Sequence, residues 1–417
     1  MNNHRNETTA IVSNTSWSIY NFRKGLLTKL QLLGTQIIII APEDDYSKHF
    51  EEMGLIYIPI QLDNYGTNPL KDLLYSLQIF KILLKYRVNF LISYTIKPNI
   101  FASFAASLLS IPCLAVITGL GHLFTHRSWK TRIAKSLYKI GLRNVKEVWF
   151  LNNEDKRTFL SEGLIKTHQA SVLPSEGVDT DYFAKDEKAG RTPQFNFLFA
   201  GRLIAEKGIK EFVKAAKMIK QKQTEIQFNV LGFINNNSPH AISKKQMESW
   251  HQEGLINFLG ATSNIKSYLD CMDCVVLPTY YREGVPRILL EASSMEIPII
   301  TTDNVGCREV IDHGVNGYVC QPKNVESLAY WMQKMMDLNE KERDSMGIQG
   351  RKIVKNLYDE SIIIAKYQKL LAKHLEKLEA PAPNQVPANL NLLNVNHSIN
   401  ISSNLNHRIK ISTEKKQ

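Results

Sequence analysis

Two glutamates eight positions apart, Glu283 and Glu291, are the most informative pair in this sequence. Gly284 follows the first glutamate directly, and a glycine lets the backbone come close to a ligand. Pro286 suits the first position of a helix, where its missing N–H costs nothing, and free N–H groups at a helix start bind anions. A phosphate at this helix start, beside carboxylates that accept hydrogen bonds from hydroxyl groups, matches the chemistry of a sugar nucleotide.

Two cations, Arg202 and Lys207, are candidates for binding the phosphates. They come just after an apolar run at residues 195–199 that is typical of a buried strand, and Gly201 directly precedes Arg202. Arginine offers a bidentate fork and lysine a point charge, and both bind phosphate groups. Taken alone, the two residues could equally be an ordinary pair of surface cations.

Five segments resemble the retaining glycosyltransferases of family 4, which have the GT-B fold. In chain order these segments are residues 177–183, 201–208, 283–291, 304–310 and 313–317. Each is a weak signal alone, and their order makes the combination specific. The resemblance implies a sugar transferase that uses a nucleotide sugar, with UDP as the expected nucleotide.

The resemblance also implies roles for individual residues. Arg202 and Lys207 would bind the leaving diphosphate, Glu291 both ribose hydroxyls, and Glu283 the donor sugar. These transferases retain configuration by front-side attack, so Glu283, Arg202 and Lys207 are the expected catalytic residues and Glu283 is not a nucleophile. The expected donor-binding residues are Gly201, Arg202, Lys207, Gly284, Val285, Pro286 and Glu291.

The first half of the chain departs from the commoner family pattern. Residues 14–23 contain no glycine, and Thr118 stands where many members have a histidine. Together with residues 95–99 and 118–121, these departures resemble a subgroup that acts on undecaprenyl-diphosphate-linked sugars in capsule, O-antigen or bacterial glycan assembly. The expected acceptor-binding residues are Asn21, Arg23, Lys97, Thr118 and His122. For Arg23 and Lys97, ordinary surface charge is the alternative interpretation.

The composition is that of a globular protein, with 44% apolar and 22% charged residues. A chain of 417 residues is too long for one ordinary hydrophobic core, so two domains are expected. Its five cysteines are scattered, and the isolated pair Cys271 and Cys274 is attributed to core packing. Asp179 and Asp181 lie in one of the resembling segments and not at a strand end. We therefore expect no metal ion and no cofactor apart from the sugar nucleotide.

A basic amphipathic helix is predicted within residues 127–146. Apolar residues alternate there with Arg127, Lys130, Arg132, Lys135, Lys139, Arg143 and Lys146. Such a helix suits an anionic membrane surface, although a solvated helix face is the alternative. The net charge of +11 would also attract nucleic acid, but the sequence lacks the aromatic and basic strand pattern of such binders.

One segment is long and apolar enough to be considered as a membrane span. Residues 100–124 contain no Asp, Glu, Lys or Arg. Pro112 divides the segment and two glycines end it, so a buried helix followed by a buried strand is predicted. Without a predicted span or signal peptide, we expect a cytoplasmic protein, peripheral at the inner face of the cytoplasmic membrane.

Alternating strand and helix patterns predict an α/β fold, with a first helix over residues 22–33. Two doubly wound, Rossmann-like domains should face each other across a cleft, with ligands at the carboxyl ends of the strands. By resemblance, a C-terminal helix crosses back to the first domain. The predicted divisions are an acceptor-binding domain at 1–184, a nucleotide-sugar domain at 194–357, the crossing helix at 358–379 and a disordered, Asn-rich tail at 380–417.

Two other functions fit parts of the pattern. Sugar-nucleotide 2-epimerases share the two-domain architecture, but they need no membrane-facing helix. A non-catalytic subunit that binds a sugar nucleotide would share the fold. The presence of Arg202, Lys207, Glu283 and Glu291 together argues against a lost active site.

Overall fold

The computed structural model describes residues 7–64, 66–121, 129–186, 193–223, 225–234 and 240–375, without the side chain of Lys130. Both sheets of the molecule lie in these ranges, within the compact unit Met1–Leu378. Three sequence predictions fall outside them: the role of His122, the contribution of Arg127 to the basic helix and the disorder of residues 380–417.

The first sheet is built from seven parallel strands. They are β1 (Thr8–Val12), β2 (Gln36–Ala41), β3 (Ile56–Pro59), β4 (Phe90–Tyr94), β5 (Cys113–Ile117), β6 (Glu147–Phe150) and β7 (Ala170–Val172). Their order across the sheet is β3-β2-β1-β4-β5-β6-β7. Strands β1, β4 and β5 are buried along their whole length, because helices cover both faces of the sheet.

Within the described residues, six α-helices connect the strands of the first half. They are α1 (Ser16–Leu32), α2 (Lys48–Glu52), α3 (Pro69–Lys85), α4 (Ser103–Leu108), α5 (Trp129–Gly141) and α6 (Asn153–Ser161). The buried side chains of α3, α4 and α5 share one core with one face of the sheet. Those of α1 and α2 belong to a second core on the opposite face.

The second sheet repeats this arrangement with six parallel strands. They are β8 (Phe195–Ala200), β9 (Ile226–Leu231), β10 (Asn257–Gly260), β11 (Cys274–Leu277), β12 (Ile299–Thr302) and β13 (Gly317–Cys320), in the order β10-β9-β8-β11-β12-β13. The helices are α7 (Ile209–Lys220), α8 (Lys244–Gln252), α9 (Lys266–Leu269), α10 (Arg287–Ser294), α11 (Val325–Asp337) and α12 (Glu340–Leu357). The predicted pair of doubly wound sheets is confirmed.

The last described helix, α13 (Glu360–His374), returns to the first sheet. Its residues Ile363, Tyr367 and Leu371 are buried in the core that contains α1. The Tyr94 hydroxyl at the end of β4 lies 3.0 Å from the Tyr367 hydroxyl. The predicted crossing helix is therefore confirmed, while the exact domain boundaries stay predictions.

Some elements differ from the sequence predictions. Helix α1 begins at Ser16, because the Thr15 side chain accepts a hydrogen bond from the Ser18 N–H and caps the helix six residues earlier than expected. The predicted helix after β4 is divided into a π-helical turn, Pro98–Ala102, and α4. Helices α6 and α8 were not predicted, because both are mostly polar. In the part of the chain that the structure describes, no helix is both long and apolar enough to cross a membrane.

Candidate active site

The carboxyl edge of the second sheet carries an ion pair between Lys207 and Glu283. Lys207 ends the 3₁₀ turn Ala205–Lys207 after β8, and Glu283 lies in the loop between β11 and α10. The Lys207 Nζ atom lies 2.5 Å from Glu283 Oε2, and the two side chains are only 9% and 14% exposed. Two predicted site residues from distant parts of the chain are therefore in direct contact.

Gly208 fixes the turn that precedes α7. Its φ is +82°, and a Cβ atom here would lie 2.1 Å from the Pro278 carbonyl oxygen, so both the conformation and the space require glycine. The Glu206 carbonyl in the same turn accepts hydrogen bonds from the N–H groups of Tyr280 and Tyr281, at 2.8 and 3.1 Å. The turn after β8 and the loop after β11 thus hold each other in place.

Thr279 contacts the second oxygen of the Glu283 carboxylate. The Thr279 Oγ1 atom lies 3.3 Å from Glu283 Oε1 and 3.1 Å from the Glu206 carbonyl oxygen. A hydroxyl has one hydrogen, so it donates to one of these acceptors at a time. Both oxygens of Glu283 therefore have a neighbour in the second half of the chain.

The loop after β5 closes over Glu283 from the first sheet. The Gly284 N–H donates a hydrogen bond to the Thr118 carbonyl at 3.1 Å. Gly119 has a φ of +133°, and a Cβ atom there would lie 2.8 Å from the Glu283 Cα atom. The two halves of the molecule therefore meet at the glutamate itself, and Thr118 contributes its carbonyl rather than its hydroxyl to this contact.

The start of α10 differs by one residue from the prediction. Pro286 is the residue before the helix, with φ −65° and ψ 122°, and Arg287 is the first helical residue. Pro286 therefore lies just outside the helix, because its ψ is extended. Val285 is 9% exposed and belongs to the core of the second half, so its side chain anchors the loop.

Glu291 is buried and paired with a cation that the sequence analysis did not identify. Its Oε1 atom accepts a hydrogen bond from Arg287 Nε at 2.9 Å, one helical turn earlier. Burial raises the pKa of the Glu291 carboxyl, and the charge of Arg287 opposes this rise. The Arg287 guanidinium also lies 5.3 Å from the centre of the Phe22 ring on α1, so this pair too lies where the halves meet. The spacing of four residues between Arg287 and Glu291 on one helix is a sequence signal that could have predicted this ion pair.

Arg202 lies beside the same loop. Its guanidinium carbon is 5.2 Å from the centre of the Tyr281 ring, and its side chain is partly exposed. The structure gives it no carboxylate within salt-bridge distance among the described residues, unlike Lys207. Gly201 continues β8, with its N–H donating to the Leu231 carbonyl at 3.0 Å. A partly exposed guanidinium at a strand's carboxyl end is suited to an anionic ligand.

The predicted acceptor residues Arg23 and Lys97 both have partners within the chain. Arg23 is 4% exposed and bonds to Glu176 at 2.7 Å, with its guanidinium 3.6 Å from the Tyr94 ring centre. Arg23 is thus buried and paired within the chain, and its role in acceptor binding stays a prediction. Lys97 pairs with Asp72 at 2.5 Å and is 14% exposed, so its charge is already compensated.

Asn21 is a further predicted acceptor residue that the structure describes. Its side-chain amide donates to the Trp17 carbonyl on α1 at 2.9 Å, and the contact is exposed. The Asn21 side chain thus lies on the helix surface. Its role in acceptor binding stays a prediction.

A second contact between the halves was missed by the sequence analysis. Arg282 Nε donates to Asp155 Oδ1 at 2.8 Å, and Arg282 Nη2 lies 3.0 Å from Thr158 Oγ1. The Asp155 side chain is fully buried at the start of α6. No local sequence pattern links positions that are 127 residues apart, so this ion pair had no sequence signal.

The possible metal residues have other roles. Asp179 Oδ1 accepts hydrogen bonds from the N–H groups of Asp181 and Tyr182, at 3.1 and 2.8 Å, and so closes a turn. Within the described ranges, no group of three or more His, Cys, Asp or Glu side chains could hold an ion. Burial raises the pKa values of the Cys271 and Cys274 thiols, as expected for cysteines used in packing.

Comparison with known proteins gives one family and several relatives. The profile of the family described as "Glycosyl transferases group 1" matches residues 181–353. The chain is 28% identical over 376 residues to N,N'-diacetylbacillosaminyl-diphospho-undecaprenol alpha-1,3-N-acetylgalactosaminyltransferase of Campylobacter jejuni, covering 86% of this chain and 96% of that protein. It is 24% identical over 283 residues to UDP-Gal:alpha-D-GlcNAc-diphosphoundecaprenol alpha-1,3-galactosyltransferase of Escherichia coli, covering 64% of this chain and 71% of that one.

Solved structures share the fold. A glycosyltransferase from Rickettsia africae superimposes with a TM-score of 0.73 at 20% identity, over 89% of this chain and 100% of that chain. The Anabaena protein HepE, solved in complex with UDP, gives a TM-score of 0.72 at 14% identity, over 88% and 100% of the two chains. These similarities confirm the two-sheet architecture.

Proposed function

The chain belongs to the group 1 glycosyltransferases, and from this premise we propose which transfer it catalyses. It moves a hexose or an N-acetylhexosamine from a nucleotide diphosphate, with UDP as the nucleotide, to a saccharide linked to a lipid diphosphate. The configuration of the sugar is retained. The observation that carries the proposal is the contact of Lys207 with Glu283 at 2.5 Å, beside the partly exposed Arg202.

The donor diphosphate binds against Arg202 and Lys207. The Lys207 ammonium has three donor hydrogens, so it can bind a phosphate oxygen and keep one bond to Glu283. Arg202 contributes a guanidinium without an internal carboxylate partner among the residues described. The two cations stabilise the negative charge that develops on the leaving diphosphate.

Glu283 and Glu291 bind the hydroxyl-bearing parts of the donor. Glu283 is held from both halves of the molecule, so its carboxylate has a defined position for a hydroxyl of the sugar. Glu291 is buried next to the helix start and already accepts a hydrogen bond from Arg287, which leaves further lone pairs for ribose hydroxyls.

The transfer proceeds by front-side displacement. The acceptor oxygen forms a bond to the anomeric carbon while the bond from that carbon to the phosphate oxygen breaks. The acceptor's proton passes to the departing phosphate, and the products are the extended saccharide and UDP. We propose that no metal takes part, because the cations of Arg202 and Lys207 supply the positive charge.

The lipid-linked acceptor is supported by the relatives. The Campylobacter jejuni and Escherichia coli proteins are both named for a diphospho-undecaprenol acceptor, and the chain spans 96% and 71% of their lengths. A diphosphate-linked lipid stays in a bilayer, so the enzyme works at the inner face of the cytoplasmic membrane. The exposed Trp129, Ile133 and Ile140 on α5, next to exposed Arg132 and Lys139, form an amphipathic surface suited to peripheral attachment.

An acceptor-dependence assay tests the proposal. Purified protein is incubated with UDP-sugars and a short-chain prenyl-diphosphate saccharide, and UDP release and the anomeric NMR signal of the product are measured. We expect UDP release only with acceptor, and an α-linked product from an α-linked donor. Conversion of the sugar nucleotide without acceptor would indicate an epimerase, and nucleotide binding without turnover would indicate a non-catalytic subunit. Either result would overturn the proposal.

A further inference from the structure

Helix α3 presents an apolar stripe to solvent. Its inward face packs on the sheet in the usual way, with Tyr75, Ile79 and Leu83 buried in the core of the first half. Four leucines at positions i, i+3, i+4 and i+7 form a continuous row on the outward face, which we call the leucine stripe. These are Leu70, Leu73, Leu74 and Leu77, with exposed fractions of 69%, 55%, 59% and 48%. A contiguous exposed row of this kind marks an interaction surface more often than a solvated one.

The helices next to α3 also expose apolar side chains. Helices α3, α4 and α5 share one core, so they lie side by side on the same face of the first sheet. On α4, Phe104 and Leu108 are 38% and 62% exposed, and on α5, Trp129 and Ile133 are 64% and 50% exposed. Exposed apolar side chains therefore occur on all three neighbouring helices, including the one that the sequence predicted as a membrane contact.

The charge around this surface identifies its partner. Residues 69–87, 98–110 and 129–146 contain one acidic residue, Asp72, which is paired with Lys97. They contain ten basic residues: Lys71, Lys81, Lys85, Arg87, Lys130, Arg132, Lys135, Lys139, Arg143 and Lys146. Lys71 and Lys135 have a carboxylate within salt-bridge distance. The other cations of this set have none among the described residues, leaving aside Lys130, whose side chain lies outside the description. A second copy of the chain would bring cations against cations, whereas an anionic bilayer offers opposite charge and acyl chains together.

The position of the stripe fits a lipid acceptor. Helix α3 follows β3, so its first turns lie at the carboxyl edge of the parallel sheet, where ligands of such sheets bind. Asp72, which directly precedes Leu73, bonds to Lys97 in the loop after β4. The Thr118 loop that contacts Gly284 follows β5, the next strand, at the same edge.

We propose that the leucine stripe inserts into the interfacial layer of an anionic membrane, while the flanking cations bind lipid headgroups. Salt then screens the ionic part of the attachment, which comes from the cations, but not the apolar part, which comes from the leucines. The function of the contact rests on the proposed lipid-linked acceptor, since insertion at this edge brings the cleft to the lipid's diphosphate.

Vesicle binding of a stripe variant tests the inference. Leu70, Leu73, Leu74 and Leu77 are changed together to Gln, which preserves helix propensity. With vesicles of equal parts phosphatidylglycerol and phosphatidylcholine, we expect the variant to bind at least about tenfold more weakly and to lose all binding at high salt. The matched control changes the exposed leucines Leu32 and Leu357, which lie on α1 and α12, to Gln and should bind like wild type. Unchanged binding of the stripe variant, or a wild-type dimer that the variant abolishes in sedimentation velocity, would overturn the inference.

A probe that changes a single leucine of the stripe covers the case in which the fourfold variant misfolds. Leu74→Cys and, as a control, Leu357→Cys are made separately in a Cys271→Ser background. Each introduced cysteine is labelled with an environment-sensitive fluorophore. We expect a blue shift on vesicle addition at position 74 only. No shift there would contradict insertion even if the enzyme transfers sugar to the lipid acceptor. A shift without any such transfer would support insertion and overturn the proposed function instead.

Discussion

Arg282 donates a hydrogen bond to the fully buried carboxylate of Asp155 across the boundary between the two sheets, at 2.8 Å. Arg282 directly precedes Glu283, and its carbonyl accepts a hydrogen bond from the Gly121 N–H at 2.9 Å. The loop that carries the site glutamate is therefore fastened to the first half by a side chain and by the backbone. The position of Glu283 depends on how the two halves meet.

Removal of the Arg282 side chain should destabilise the protein in a pH-dependent way. Arg282→Ala leaves the Asp155 carboxylate buried without its cation, and we expect the free energy of unfolding to fall by about 3 kcal/mol at neutral pH. Burial raises the pKa of Asp155 and Arg282 opposes this rise, so the pKa is higher still in the variant. Below the unfolded pKa of about 4 the carboxyl is neutral in both states. The loss should therefore be small in acid and grow as pH rises through the folded pKa.

Denaturant unfolding at several pH values measures this effect. Arg308→Ala is the matched control, because Arg308 bonds to Glu154 at 2.7 Å with both side chains at least 40% exposed. We expect that control to cost less than about 1 kcal/mol. Equal losses in the two variants would contradict the special role of the Arg282 contact.

Glu291 should control nucleotide affinity in a pH-dependent way. In Glu291→Gln, UDP affinity should fall by about 10- to 100-fold at neutral pH, because hydrogen bonds to a charged acceptor are lost. Burial raises the pKa of Glu291, so the wild-type carboxyl takes up a proton as pH falls through that raised value. Wild-type affinity should then approach that of the variant in acid. Calorimetric titration with UDP checks both points.

The control for this titration is Glu326→Gln, an exposed glutamate on α11. UDP itself takes up a proton in acid, and this contribution is common to all three proteins. If wild type and Glu291→Gln keep a constant affinity ratio at every pH, Glu291 is not the titrating contact.

Activity should survive removal of divalent metal. The proposed charge stabilisation comes from Arg202 and Lys207, so dialysis against EDTA should leave the transfer rate unchanged. The measurement is UDP release with lipid-linked acceptor before and after dialysis. Complete loss of activity, restored by manganese or magnesium, would contradict the cationic site.

The basic residues of α5 should control the salt-sensitive part of membrane attachment. Changing exposed Arg132, Lys139 and Arg143 to Glu should reduce pelleting with anionic vesicles at low salt to the level that wild type keeps at high salt, since each cation contributes about 1 kcal/mol near such a surface. UDP affinity should not change. The control variant carries Glu at Lys214, Lys217 and Lys244, which lie in the second half of the molecule. Its net charge changes by the same amount, and it should still pellet. Equal pelleting by both triple variants would leave α5 as a solvated face.

The sequence predicted the sheets well, because buried parallel strands are read from local patterns. The apolar run at residues 195–199, for example, falls within one residue of the strand that forms there, β8 (Phe195–Ala200). Helices α6 and α8 were not predicted, because mostly polar segments have no clear apolar pattern. The start of α1 depended on the cap at Thr15, which lies outside the apolar pattern.

The residues of the candidate site were predicted from the sequence and their roles stay predictions, but the contacts between them were not predicted. Lys207 and Glu283 carry family motifs, yet the ion pair between them depends on the placement of two loops. The burial of Arg23 was not predicted, because its partners Glu176 and Tyr94 come from other elements of the folded chain. Charge in a sequence does not reveal whether it faces a ligand or another residue.

The turnover of Lys207→Ala tests the central claim most directly. In the proposed mechanism Lys207 stabilises the charge that develops on the leaving diphosphate, so the variant's kcat should fall at least about 100-fold while UDP affinity falls much less. Lys210→Ala, an exposed lysine three residues later on α7, is the matched control and should keep wild-type turnover. Near wild-type kcat in Lys207→Ala would contradict the assignment of the donor diphosphate to this site.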